Sequence, residues 1–191
     1  MEDRQQIWDK YTGVKNGPMR RMFLDYNRYF EAGAIEDALE SMHVDFTKLK
    51  VLDYGCGVSD YGIYFARLGA KVDILDIDKE ALAFATWRFL QEGLHVTAIE
   101  SIDFADLVIF GEVLDHLPDP LNTLAFYGKH ARFIFTSSYP FRSDDANDVH
   151  WQHDHHPKTA LTQQPACREY LEKHFTKLNF GGQRNLWTRK I

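Results

Sequence analysis

Apolar positions in the first fifty residues recur at mixed spacings of three and four. Met19, Met22, Phe23, Tyr26 and Phe30 share one face of the stretch MRRMFLDYNRYFEAGAIEDALESM. That pattern predicts an amphipathic helix, with Gly33 a point where it can break. From Lys50 onward the period changes. Short apolar runs (KVLDY, KVDILDI, HVTAI, ADLVIFGEV and ARFIFTSSY) read as five buried strands. Between them lie helical segments. DYGIYFARLG carries Tyr61, Tyr64, Phe65 and Leu68 on one face and stops at Gly69; DKEALAFATWRFLQEG ends at Gly93; LNTLAFYGKH follows the fourth strand. After a polar, His-rich stretch comes a helix predicted over PACREYLEKH. FTKLNF and QRNLWTRK then close the chain as a hairpin around Gly181-Gly182.

Strands alternating with helices predict an α/β fold, a Rossmann-like doubly wound sheet with helices on both faces. The sheet is mostly parallel and seven-stranded, with an antiparallel hairpin at its C-terminal edge. One domain, 1–191, is expected, with a helical cap over 1–49 and the Rossmann-like core over 50–191. Ligands of such sheets bind beyond the carboxyl ends of the strands. That rule brings forward Asp53 to Ser59, Asp76, Glu100 with Ser101, and Glu112 to His116.

VLDYGCGVSDYG joins the first strand to the next helix. Gly55 and Gly57 suit a turn that needs positive φ or close approach of a ligand to the backbone. The helix that follows presents its N-terminus, which favours a negative group. Asp76 ends the second strand about 20 residues after Gly57, where a carboxylate can accept both hydroxyls of a ribose. The loop is a poor nicotinamide fingerprint, because Asp60 stands where glycine or alanine belongs, and it lacks the P-loop pattern. Asp53 would repel a pyrophosphate and suits an ammonium group. Ser59, where a third glycine is common, is expected to cap the helix beginning at Asp60.

Taken together, VLDYGCG, VDILDIDKEAL and FADLVIFGEVLDHLPDP resemble the class I S-adenosylmethionine-dependent methyltransferase family. The resemblance covers about residues 50–140 in motif detail and departs at Ser59. It implies that Asp53, Gly55 and Gly57 hold the methionine part of S-adenosylmethionine, that Asp76 holds the ribose, and that Ile77 packs on the adenine. It further implies that Glu100 and Ser101 meet the adenine amino group and that Glu112 to His116 line the sulfonium side. An aromatic-rich N-terminal segment (Trp8, Tyr11, Phe23, Tyr26, Tyr29, Phe30) caps the cofactor in similar enzymes, which makes Tyr11 a lid residue.

Methyl transfer is an in-line displacement in which the protein chiefly positions the acceptor and excludes water. A base is needed where the acceptor must lose a proton. Asp115 and His116, just past the fourth strand, supply one candidate, with a structural stacking role for His116 as the other reading. NDVHWQHDHHPK supplies a second, with His150, His153, His155 and His156 beside Asp148 and Asp154. His153 is the catalytic candidate there. The same cluster also reads as a metal site, an acceptor pocket or a solvated loop, although Pro157 disfavours paired ligands on one helix. Cys56 reads as a small buried filler.

Composition narrows the partners. A formal net charge of −6 over 191 residues makes a general nucleic-acid surface unexpected. No apolar run is long enough to span a bilayer, the N-terminus is unlike a secretory signal, and two cysteines build no disulfide framework. A cytoplasmic enzyme methylating an oxygen or nitrogen nucleophile on a small molecule is the expected function, with no nucleic-acid or membrane partner. A cofactor-binding regulatory module without transfer, a metal-dependent enzyme built on His150–His156, and a protein substrate stay open.

Overall fold

The computed structural model describes residues 18–100, 104–137, 140, 157–178 and 185–191, and the side chains from residue 28 onward. The chain forms two compact units, Met1–Ser101 and Ile102–Ile191. Tyr11, Ser101, the His150–His156 cluster and the Gly181-Gly182 turn lie outside the described residues.

In the first unit, helix α1 spans Pro18–Ser41 without a break at Gly33. Glycine inside a helix costs about 1 kcal/mol relative to alanine. Here packing outweighs that cost, because a Cβ on Gly33 would lie 3.3 Å from the Tyr64 hydroxyl. Tyr61 donates to Glu31 and Tyr64 to Glu36, so α1 is fastened to the helix that follows the glycine loop. Strands β1 (Lys50–Tyr54) and β2 (Lys71–Leu75) pair in parallel, with Asp53 opposite Ile74 and Tyr54 opposite Leu75. Between them runs helix α2 (Asp60–Arg67). Helix α3 (Lys79–Gln91) follows β2, capped by Asp78, whose carboxylate accepts from the Glu80 and Ala81 amides. Strand β3 is shorter than the apolar run HVTAI; only Thr97–Ala98 pairs with β2. Val51, Leu52, Ile63, Phe65, Ile74, Ala85 and Phe89 are wholly buried and form the core. The middle of β1 is buried on both faces, as in strands covered by helices, whereas β2 buries only Val72 and Ile74.

In the second unit, β4 (Leu107–Phe110) and β5 (Phe133–Thr136) pair in parallel, and every residue of both is buried. Helix α4 (Pro120–Gly128) joins them. It begins with proline at its first turn and with Asp119 accepting from the Asn122 amide, both favourable helix starts. Helix α5 covers Lys158–His174, seven residues earlier than PACREYLEKH predicts, and carries Pro165 inside it. The buried residues Ala160, Gln164, Cys167 and Leu171 recur at four, three and four, so the core-facing stripe holds the longer helix. Strands β6 (Phe175–Leu178) and β7 (Asn185–Arg189) pair antiparallel, and β7 lies antiparallel to β5. The class is therefore the expected one, α/β and Rossmann-like, with a mostly parallel seven-stranded sheet that ends in an antiparallel hairpin.

Thr136 ends β5 fully buried, and its Oγ1 has no hydrogen-bond partner among the described residues. An unpaired buried hydroxyl costs about 1–3 kcal/mol. Thr136→Val removes it at nearly constant shape, so chemical denaturation should show a gain in stability of about 1 kcal/mol.

Candidate functional site

The turn after β1 is bound to the end of β2 by the main chain. Gly55 and Cys56 donate their amides to the Leu75 carbonyl at 2.8 and 3.1 Å. Gly55 and Gly57 have φ of 65° and 52°, the left-handed region that glycine enters without cost. The Gly57 amide donates to Asp76 Oδ2 at 2.8 Å, and Asp76 Oδ1 accepts from the Asp78 amide at 2.9 Å. The structure thus brings the loop glycine and the acid predicted to serve it into direct contact. Each carboxylate oxygen can accept more than one hydrogen bond, so Asp76 keeps capacity for hydroxyl donors. Beside it Ile77 is 98% exposed, an isoleucine held in solvent next to the loop.

Ser59 does not cap α2 through its side chain. It sits at the cap position with φ 58° and ψ 52°, and its Oγ makes no bond to the helix amides. Instead the hydroxyl donates to Asp53 Oδ2 at 2.8 Å. The reason is geometric: side-chain capping requires extended backbone at the cap residue, and the loop places Ser59 in the left-handed region. The Gly62 amide also donates to Asp53 Oδ2, at 3.1 Å. A first-turn amide of α2, expected to face a ligand, thus serves a carboxyl of the protein itself. Asp53 is 2% exposed. Burial raises its pKa to about 7, against the opposing pull of Ser59, Gly62 and Arg28. Cys56 is buried, its thiol pushed upward by burial, in keeping with a filler role.

Asp60 is the next buried polar residue, at 3% exposure. Its Oδ1 accepts from Arg88 Nη1 at 2.8 Å and its Oδ2 from Arg28 Nη1 at 3.2 Å. Arg88 Nη1 also donates to the Val58 carbonyl. Gly62, Arg28 and Arg88 were not singled out by the sequence pattern. The only hint was a glycine in the first turn of a short helix, followed by apolar residues. A groove of about 620 Å³ in this unit, lined by Lys50, Lys71 and His95, sits at the amino ends of β1 and β2, away from the loop. Glu100 is exposed, just beyond β3.

In the second unit the chain leaves β4 at Glu112, whose φ of 55° is unusual for a residue with a side chain. Its amide donates to Ser137 Oγ at 2.8 Å, and Asn185 Nδ2 donates to the Ser137 carbonyl at 2.9 Å. The predicted strand 105–113 therefore stops at Phe110. Leu114–His116 form a single 3-10 turn. Asp115 is buried, with Oδ1 3.9 Å from Nε2 of His116, whose side chain is 40% exposed. Of the two residues expected to supply a base, Asp115 thus lies inside and His116 is in reach of solvent. His153 and Tyr11 fall outside the described residues, and no group of three or more metal-ligating side chains is assembled among the described ones.

The model of the methyltransferase domain family matches residues 23–180. Ubiquinone biosynthesis O-methyltransferase of Vibrio cholerae is 38% identical over 84 residues, which cover 39% of this chain and 34% of that protein. The Vibrio parahaemolyticus enzyme of the same name is 39% identical over 84 residues, covering 39% of this chain and 36% of its own length. The match thus spans about a third of these relatives. Magnesium protoporphyrin IX methyltransferase from Synechocystis, solved with bound SAM, superposes with a TM-score of 0.64 at 16% identity, over 99% of this chain and 92% of that one. The chain belongs to the methyltransferase domain family, as a class I S-adenosylmethionine-dependent methyltransferase domain.

Two measurements follow from the Asp53 network. A Cβ on Gly62 would overlap Ser59 Oγ and come within 3.2 Å of Asp53 Oδ2 and Phe89 Cζ. Gly62→Ala should therefore destabilise the fold by about 1–3 kcal/mol in urea unfolding, as overpacked cores do. The folded pKa of Asp53 lies above the ordinary carboxylate value, so between about pH 4 and pH 7 the folded state holds a proton that the unfolded state has lost. Its contribution to stability is full below about pH 4 and declines as pH rises to about 7, at a rate approaching 1.4 kcal/mol per unit. Asp53→Asn should abolish that decline, leaving the variant's stability relative to wild type higher at pH 8 than at pH 5.

Proposed function

We propose that this chain transfers a methyl group from S-adenosylmethionine to an oxygen or nitrogen nucleophile of a small molecule. The carrying observation is the contact of the Gly57 amide with Asp76 beside the solvent-exposed Ile77. The donor set fits the cofactor: a carboxylate with remaining acceptor capacity for two ribose hydroxyls, an apolar side chain for a flat base, and a glycine turn that admits close backbone approach. When bound, the cofactor supplies an electrophilic methyl on a sulfonium sulfur. On this reading Asp76 holds the ribose, Ile77 covers the adenine, and Glu100 with Ser101 meets its amino group. Gly55 and Gly57 admit the methionine part; Asp53, expected to hold it with them, lies buried behind the turn with its Oδ2 on Ser59 and Gly62, and shapes the turn instead. Tyr11 belongs to a cap over residues 1–49 of what acts as one methyltransferase domain.

Glu112, Asp115 and His116 serve the acceptor side. His116 takes the acceptor's proton, with the buried Asp115 carboxylate beside it. His153 is a second base. The Vibrio relatives are O-methyltransferases by name, which favours a hydroxyl acceptor. A small-molecule partner and a cytoplasmic site of action complete the reading. No described helix is long and apolar enough to cross a membrane.

Calorimetry should detect S-adenosylmethionine and S-adenosylhomocysteine binding to the wild type. Asp76→Ala should weaken both about 10- to 100-fold, the worth of hydrogen bonds to a charged group. Labelled cofactor incubated with phenolic, carboxylic and amine acceptors should yield methylated product that His116→Ala reduces. Binding without product from any acceptor would instead mark a cofactor-binding regulatory module. Wild type and Asp76→Ala alike failing to bind would end the proposal.

A further inference from the structure

Asp60 is the residue that spoils a dinucleotide fingerprint, and cofactor recognition as set out above makes no use of it. It is nonetheless buried, with a guanidinium on each oxygen: Arg88 of α3 at 2.8 Å and Arg28 of α1 at 3.2 Å. Arg88 reaches past it to the Val58 carbonyl. Every residue of the turn from Gly57 to Asp60 is therefore held from outside. The Gly57 amide is on Asp76, the Val58 carbonyl on Arg88, the Ser59 hydroxyl on Asp53, and the Asp60 carboxylate on both arginines.

Such an arrangement is a poor way to gain stability. A buried ion pair loses most of its attraction to desolvation, and an apolar cluster of the same size does as well or better. What it provides is geometry. A guanidinium presents several donors in a rigid plane, so one group can fix a carboxylate and a carbonyl at a set separation. The need is plain at Ser59, between the two anchored residues: its φ of 58° is a conformation that a residue with a side chain avoids. Glycine would take that conformation at no cost, and here the surrounding groups impose it.

We propose that Arg88 and Arg28 are positioning residues for the cofactor. Through Asp60 and the Val58 carbonyl they hold the Gly57–Asp60 turn in the shape that receives the amino-acid end. The inference rests on the cofactor reading above. It predicts an effect confined to one end of the ligand. S-adenosylhomocysteine carries the amino-acid end, whereas adenosine keeps only the nucleoside.

The test compares the two ligands on full-length wild type, Arg88→Gln, Arg88→Lys and Arg28→Gln, by calorimetry for S-adenosylhomocysteine and by competition for adenosine. In Arg88→Gln, S-adenosylhomocysteine should weaken about tenfold or more while adenosine stays within about twofold, tenfold corresponding to about 1.4 kcal/mol. Arg88→Lys should fall between it and wild type, since a lysine restores the charge beside Asp60 without the planar fork. Arg28→Gln should show the same selectivity at smaller size. Equal weakening of both ligands would mean that the arginines only support the fold, and would overturn the proposal, as would unchanged S-adenosylhomocysteine affinity in a folded Arg88→Gln. Should Arg88→Gln fail to fold by circular dichroism, Arg88→Lys and Arg28→Gln decide by the same comparison. Wild type that binds neither ligand would overturn the cofactor reading, and this inference with it; unchanged variants beside a binding wild type overturn this inference alone.

Discussion

One buried oxygen sets the shape of the turn between β1 and α2. Asp53 Oδ2 takes the Ser59 hydroxyl from one side and the Gly62 amide from the other. The last inward residue of β1, the end of the glycine turn and the first turn of α2 thus meet at a single atom. A carboxyl group enclosed to that degree tolerates few alternatives. The donors must be where they are, so the chain between them is constrained to one path. Gly62 has no side chain because that side chain would stand where Ser59 and Asp53 meet. The departure from a third glycine at position 59 is answered within the same network. The hydroxyl that glycine lacks is the one that Asp53 accepts.

Much of this fold was legible in the chain because alternating periodicity reports burial directly. KVLDY became β1 with its stated boundaries, and Gly69 and Gly93 follow the ends of their helices with positive φ. Legibility failed where polar residues occupy core positions. Gln164 is wholly buried, so KTALTQQP reads as loop although it is helix. Strand ends were overestimated for a related reason. Apolar character continues past the last paired residue, while pairing stops where the backbone turns, as at Glu112.

The site divides in the same way. Gly57 and Asp76 could be joined from spacing alone, since a strand–turn–helix unit places the end of the next strand beside its turn. Asp115 with His116 was visible as neighbours in sequence. The supports were not. Arg28 and Arg88 lie 32 and 28 residues from Asp60, and nothing in the spacing of charges along helices indicates which of them turns inward. The cap role expected of Ser59 was a sound guess from residue type, undone by a backbone angle that no residue type reveals.

The parallel register of β1 and β2 has a consequence for how such a chain can vary. Gly55 and Cys56 hold on to β2 by its main-chain carbonyl at Leu75, while Gly57 reaches the side chain one position further on. The two contacts read the same strand at consecutive rungs, so the sheet works as a ruler for the turn. Any side chain at position 75 leaves the ruler intact. One residue inserted or deleted between Lys71 and Asp76 shifts it by a whole division of about 3.3 Å and turns alternate side chains to the opposite face. Variation on this scaffold is thereby channelled: a new side chain at position 75 keeps the main-chain contact, whereas a change of length within β2 does not.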